Sequence, residues 1–96
     1  MFEWDAKKAA ANLDKHGVSF DEAVTLFADS NALDGPDLEH SAAEARWLRL
    51  GRSALGRVVM VAYTLRRSGD VETIRIISAR RASRKERAAY HSSAKD

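Results

Sequence analysis

The spacing of apolar residues changes from helical to alternating near residue 46 and returns to helical near residue 83. Phe2-Glu3-Trp4 is a short strand-like start, and Asp5 is placed to cap a helix. Ala6, Ala9, Ala10 and Leu13 fall at helical spacing, with Gly17 as the stop after His16. Ser19 and Glu22 have capping-box spacing and open a stripe of Phe20, Ala23, Val24 and Phe27. Residues 5–16 and 20–28 therefore read as a helical hairpin with a tight Gly17-Val18 connection. Residues 29–45 are polar, contain Gly35-Pro36, and read as loop with a short strand near Ala32-Leu33.

Arg46-Trp47-Leu48-Arg49-Leu50 then alternates like a half-buried strand, and Gly51 to Gly56 holds a hairpin turn. Val58 to Leu65 is rich in β-formers and apolar on both faces, which predicts a central strand. Arg66 to Asp70 reads as a second hairpin loop and Val71 to Ala79 as another strand. Ser83 and Glu86 make a second capping box for a final helix through about His91, and the last five residues read as frayed. The expectation is one α+β domain over residues 1–96. It has a strand and helical hairpin in 1–28, a loop in 29–45, antiparallel strands in 46–79 and a helix in 83–91. The helices should cover one face of a three- to four-stranded antiparallel sheet and leave the other free for function.

Composition narrows the chemistry. There is no cysteine, which excludes disulfides, thiolate metal sites and a cysteine nucleophile. The N-terminus has neither the basic start nor the apolar run of a targeting segment, and the longest apolar run, Val58 to Tyr63, is too short to span a membrane. A soluble, cytoplasmic protein with no membrane role is expected. Net charge is +2 but unevenly placed. Residues 1–48 hold 4 Lys/Arg against 10 Asp/Glu, and residues 49–96 hold 12 against 4. Ten of those 12 are arginines, the side chain suited to phosphate. The basic half is either a nucleic-acid or acidic-partner face or simply a solvated surface.

No phosphate-binding glycine loop is present, and His16, His40 and His91 lie in separate segments without metal-site spacing. Asp34, Asp37, Glu39 and His40 read as solvated loop groups rather than a cation site. What remains is metal-free, cofactor-free cleavage of RNA, in which the 2′-hydroxyl attacks its own phosphate. That reaction needs a base, an acid and cations for the developing charge. Glu44 and His40 are the candidate acid–base groups. Arg46, Arg49, Arg52, Arg75, Arg80 and Arg81 are candidate phosphate clamps, with Tyr63 and Tyr90 as possible donors. Arg75 stands inside an apolar strand and must reach water, a ligand or a carboxylate such as Glu72, Glu44 or Glu86. Trp47 is a candidate for stacking a base or for the core. The run Arg80 to Arg87, with Arg81 and Arg84, could grip RNA backbone or an acidic partner, or be simply the exposed side of a helix. His16 reads as a cation on a helix C-terminus.

Four separated blocks resemble one known family. Phe2-Glu3-Trp4-Asp5 leads to Lys7-x-x-x-x-Asn12-x-x-Lys15-His16-Gly17-Val18-x-Phe20-x-Glu22-Ala23. Asp37-x-x-His40-Ser41-x-x-Glu44-x-Arg46 follows, then Gly51-Arg52-Ser53. Arg75-Ile76-Ile77-Ser78-Ala79-Arg80-x-Ala82-x-x-x-Glu86-x-x-x-Tyr90 completes the set. In this order and spacing they resemble the BrnT toxins, similar to the wider RelE-like ribonucleases. The resemblance implies a compact RelE-like fold, metal-independent RNA cleavage and growth arrest. It also implies a BrnA-like ribbon-helix-helix antitoxin, in a two-plus-two complex that binds operator DNA. By position it points to Glu44, Arg46, Arg75 and Arg80 as site residues, with His40, Arg52 and Glu86 second. A catalytically silent nucleic-acid-binding or antitoxin-binding module is the alternative.

Overall fold

The computed structural model describes residues 1–40 and 44–94. Strand β1 (Phe2–Glu3) leads into helix α1 (Ala6–His16), then helix α2 (Phe20–Val24) and a 3-10 turn at Thr25–Ala28. Strands β2 (Leu33–Pro36), β3 (Arg46–Arg52), β4 (Val58–Ser68) and β5 (Val71–Arg81) follow, and helix α3 (Arg84–Ala94) closes the order. Among the described residues no helix is long and apolar enough to cross a membrane.

Local chemistry sets the helix ends as the sequence suggests. The Asp5 carboxylate accepts from the Lys7 and Lys8 amides, and Gly17 takes a left-handed φ of 70° to end α1. The capping box at Ser83 and Glu86 is reciprocal, each side chain bonding the other's amide. The one at Ser19 is half formed. Ser19 Oγ accepts from the Glu22 amide, but the Glu22 carboxylate turns away to Arg57 and Ser53.

Three features of the expected RelE-like domain are corrected. The sheet has five strands in the order β1-β5-β4-β3-β2, and β1 runs parallel to β5, so it is mixed rather than purely antiparallel. The second arm of the N-terminal hairpin is one α-turn followed by a 3-10 turn, not a helix over 20–28. The final helix packs on the face opposite the first two, so neither face is wholly free. Tyr90 and Ala82 make a small cluster with Leu50, Val58 and Met60. Strand β4 also continues to Ser68, which shortens the Arg66 to Asp70 loop to a tight turn at Gly69-Asp70. Of the five terminal residues expected to fray, 92–94 lie within α3, and 95–96 lie outside the described residues.

The main core lies between the sheet and α2. Val18, Phe20, Ala23 and Leu26 meet Val59, Val61, Tyr63, Ile76 and Ala79. Helix α1 closes the open edge of β5 through Asn12, which is only 8% exposed. Its amide nitrogen donates to the Val18 and Ala79 carbonyls, and its oxygen accepts from the Ala79 amide. One side chain thus does the pairing that a further strand would do. Gly51 sits where a Cβ would come within 3.2–3.3 Å of Ala32, Asp29 and Leu26, so the 29–32 segment can lie directly on β3.

Asn12→Ala is expected to strand buried backbone groups at Ala79 and Val18 and to cost about 3 kcal/mol. Urea unfolding of the two proteins measures it, and a loss below about 1 kcal/mol would show that this edge is closed by something else.

Candidate active site

The candidate site is a pocket of about 320 Å³ on the sheet face beside α3. Its floor is apolar, made by Leu48, Met60 and Ala62 of β3 and β4. On the β3 side stand Arg46 and the loop residues Asp37, Glu39 and His40; on the β5 side stand Ser78, Arg80 and His16. The strand register explains the gathering. Leu48 pairs with Ala62 and Ala62 with Ser78, while Met60 pairs with Arg80, so all of them share one face. Helix α1 lies along the β5 edge, and its last residue, His16, reaches the same rim.

His40 is more than half exposed, and its Nδ1 lies 3.1 and 3.2 Å from the two Asp37 carboxylate oxygens. A carboxylate only accepts, so Nδ1 donates its proton to Asp37 and the ring is held at the pocket wall. Asp37 is itself buried, and its amide donates to the Arg46 carbonyl, which fixes the loop against the start of β3. Arg80 makes two bonds to the Glu86 carboxylate, 2.8 and 2.9 Å long. The Arg80 guanidinium, opposed by burial and helped by the Ser83 amide, brings the Glu86 carboxyl down from its ordinary 4.5 to about 2.

The sequence-derived candidates divide sharply. Arg46, Arg80 and His40 line the pocket. Glu44 does not; it is exposed and pairs with Arg66 at 3.5 Å. Arg75 is outside the pocket as well and bonds Glu3 at 2.7 Å, a partner the sequence did not suggest. Arg49, a candidate phosphate clamp, lies outside the pocket. It bonds the Leu26 and Asp29 carbonyls and Asp34, and lies over the Phe27 ring. Trp47 likewise packs against the core on the covered face rather than offering a ring to RNA. Arg52 bonds the Gly56 carbonyl and lies over Tyr90. Arg81 follows Arg80 onto the other face, opposite Val59, and Arg84 is exposed in the first turn of α3. The Tyr63 and Tyr90 hydroxyls donate to Asp34 and Asp29, and burial first, then these carboxylates, raise both pKa values. Neither tyrosine lines the pocket. His16 is the residue that sequence reasoning missed as a site group. Its position before Gly17 explained it locally, and only tertiary packing brings it to the same pocket as His40.

Residues 4–86 match the family described as ribonuclease toxin, BrnT, of type II toxin-antitoxin systems. The chain belongs to the BrnT family. The crystal structure of the Brucella abortus ribonuclease toxin BrnT is similar in fold, with a TM-score of 0.63 and 25% identity over 88% of this chain and 99% of that one. No curated protein matches. Membership assigns a ribonuclease toxin with an RNA substrate and an antitoxin partner. The blocks that resemble BrnT serve two purposes. Asn12, Gly17, Glu22, Gly51, Ser53 and Tyr90 hold the fold. His16, Asp37, His40, Arg46 and Arg80 form the pocket. Ser41 lies outside the described residues.

The Arg80–Glu86 pair makes a pH prediction. The Glu86 pKa is below its unfolded value, so its contribution to stability is full above 4.5 and is lost as pH falls toward 2. Glu86→Gln should therefore flatten the acid side of the stability curve. Urea unfolding at about pH 5 and about pH 3 reads this, and an unchanged difference between the two pH values would sever the pair from stability.

Proposed function

We propose that this BrnT-family toxin cleaves RNA internally, without a metal ion, inside the pocket between the β2–β3 loop and the end of α1. The observation that carries the reading is the gathering of His16, His40, Arg46 and Arg80 around one apolar floor. His40, oriented by Asp37, takes the proton of the 2′-hydroxyl through Nε2. The 2′-oxygen bonds to phosphorus, and the phosphorus–5′-oxygen bond breaks. His16, on the opposite rim, gives a proton to the leaving 5′-oxygen. Products are a 2′,3′-cyclic phosphate and a 5′-hydroxyl end. Arg46 and Arg80 neutralise the charge that builds on the phosphorane, and Glu86 holds Arg80 in place. This reading moves the base from the Glu44 or His40 alternative to His40, because Glu44 stands outside the pocket. The metal-free route needs only these side chains, the histidines as base and acid and the arginines as the counter-charge. The antitoxin partner is a BrnA-like ribbon-helix-helix dimer, in a two-plus-two complex that binds operator DNA.

Purified toxin incubated with RNA and EDTA should yield cyclic-phosphate ends. Intact RNA, with no growth defect on induction, would remove the enzyme reading in favour of a silent binding module. His16→Ala, His40→Ala and Arg80→Ala should each lower cleavage about a hundredfold, the scale of a lost acid, base or charge-stabilising donor, while Glu44→Ala should change it less than about threefold. Light scattering of the copurified antitoxin complex should give the mass of two chains of each kind; a one-to-one mass would correct the assembly.

A further inference from the structure

Thr64 is the one buried side-chain polar group without a hydrogen-bond partner among the described residues. It is 2% exposed and sits in the middle of β4. A buried hydroxyl without a partner costs stability that an isosteric valine would not. Its neighbours give it a use. Thr64 lies opposite Arg46 on β3 and opposite Arg75 on β5, and Arg75 lies opposite Glu3 on β1. The four side chains form one row across the sheet, on the same face as the pocket. Opposite residues have Cβ atoms roughly 5 Å apart, so one phosphate can sit between the two arginines over the threonine. The pocket row of Leu48, Ala62 and Ser78 is two residues along β3 and β4, and three along β5 with its extra residue, about 6.8 Å away on β3 and β4, a distance that one nucleotide of backbone can bridge.

The geometry points to a second phosphate subsite in this row, which holds the RNA phosphate next to the one cleaved. It rests on the proposed reaction for its place on the substrate, but not for its chemistry. Arg75 spends one N–H on Glu3 and keeps the rest of its fork for the ligand. Thr64 Oγ1 gains the acceptor it lacks. Glu3 occupies Arg75 when RNA is absent and competes with the phosphate for it. Arg46, which lines the pocket and stands in this row, joins the two subsites.

The test uses binding as well as cleavage. Fluorescence anisotropy with 2′-O-methyl oligonucleotides, which bind without being cut, is compared with a dinucleoside monophosphate that has only one phosphate. Thr64→Val should melt at or above the wild-type temperature and bind the oligonucleotide about fivefold more weakly. Arg75→Gln should weaken it about tenfold and lower the salt slope by about one. Glu3→Gln should strengthen it. None of the three should change cleavage of the one-phosphate substrate, while Thr64→Val and Arg75→Gln raise KM for longer RNA. Unchanged oligonucleotide affinity in both weakened variants overturns the subsite. Equal losses on one-phosphate and longer ligands also overturn it, because the groups then act in the pocket itself. Oligonucleotide binding that depends on Thr64 and Arg75 in a protein that cuts nothing would keep the subsite and sink the reaction.

Discussion

A single buried carboxylate ties the layers together. Glu22 on α2 is 6% exposed and accepts from Arg57 through two nitrogens and from Ser53 Oγ. These bonds keep it ionised against burial, the Arg57 contacts most of all. Arg57 also reaches the Gly17 carbonyl, so the same guanidinium joins the end of α1, the start of α2 and the β3–β4 hairpin. A charge at that depth is tolerable only while every partner is in place. The sheet's covered face is therefore fixed, and the opposite face can carry groups chosen for chemistry rather than for packing.

The uneven charge of the sequence is largely consumed within the fold. Glu3–Arg75, Glu22–Arg57, Asp34–Arg49 and Glu44–Arg66 each join the acidic half to the basic half. Arg49 in particular has its fork enclosed by carbonyls and a carboxylate on the covered face. The zone proposed for a polyanion is the pocket, where Arg46 and Arg80 stand on the rim.

That zone is organised by carboxylates as much as by cations. Asp37 sets the tautomer of His40, Glu86 both caps α3 and grips Arg80, and Glu3 holds Arg75. Each acid orients a neighbouring side chain before a substrate arrives. Pre-orientation lowers the reorganisation that a phosphoryl transition state would otherwise demand.

Local rules made the helix caps, the turn glycines and the β-rich segments legible in the sequence, because each depends on neighbours a few residues away. The absence of cysteine and the family blocks were legible too. Strand β1 was seen, but its parallel docking on β5 was not, since two residues carry no record of their partner. Asn12 looked like any polar helix residue until α1 was laid on the β5 edge. His16 was explained by Gly17 beside it and gave no sign of His40. The face of Arg75 is the clearest case. Simple alternation from Arg80 and Ser78 would send it to the core side. The register slips between Ala62 and Tyr63, leaving Ile77 unpaired, so Ile76 enters the core and Arg75 returns to the pocket face. The sequence by itself determined the helix caps, the β-rich segments and the family blocks, because these rest on neighbours a few residues away. Only the tertiary structure decided which chemical groups stand together, and one extra residue in β5 decided the face of Arg75, because a single-residue slip exchanges the two faces of a strand.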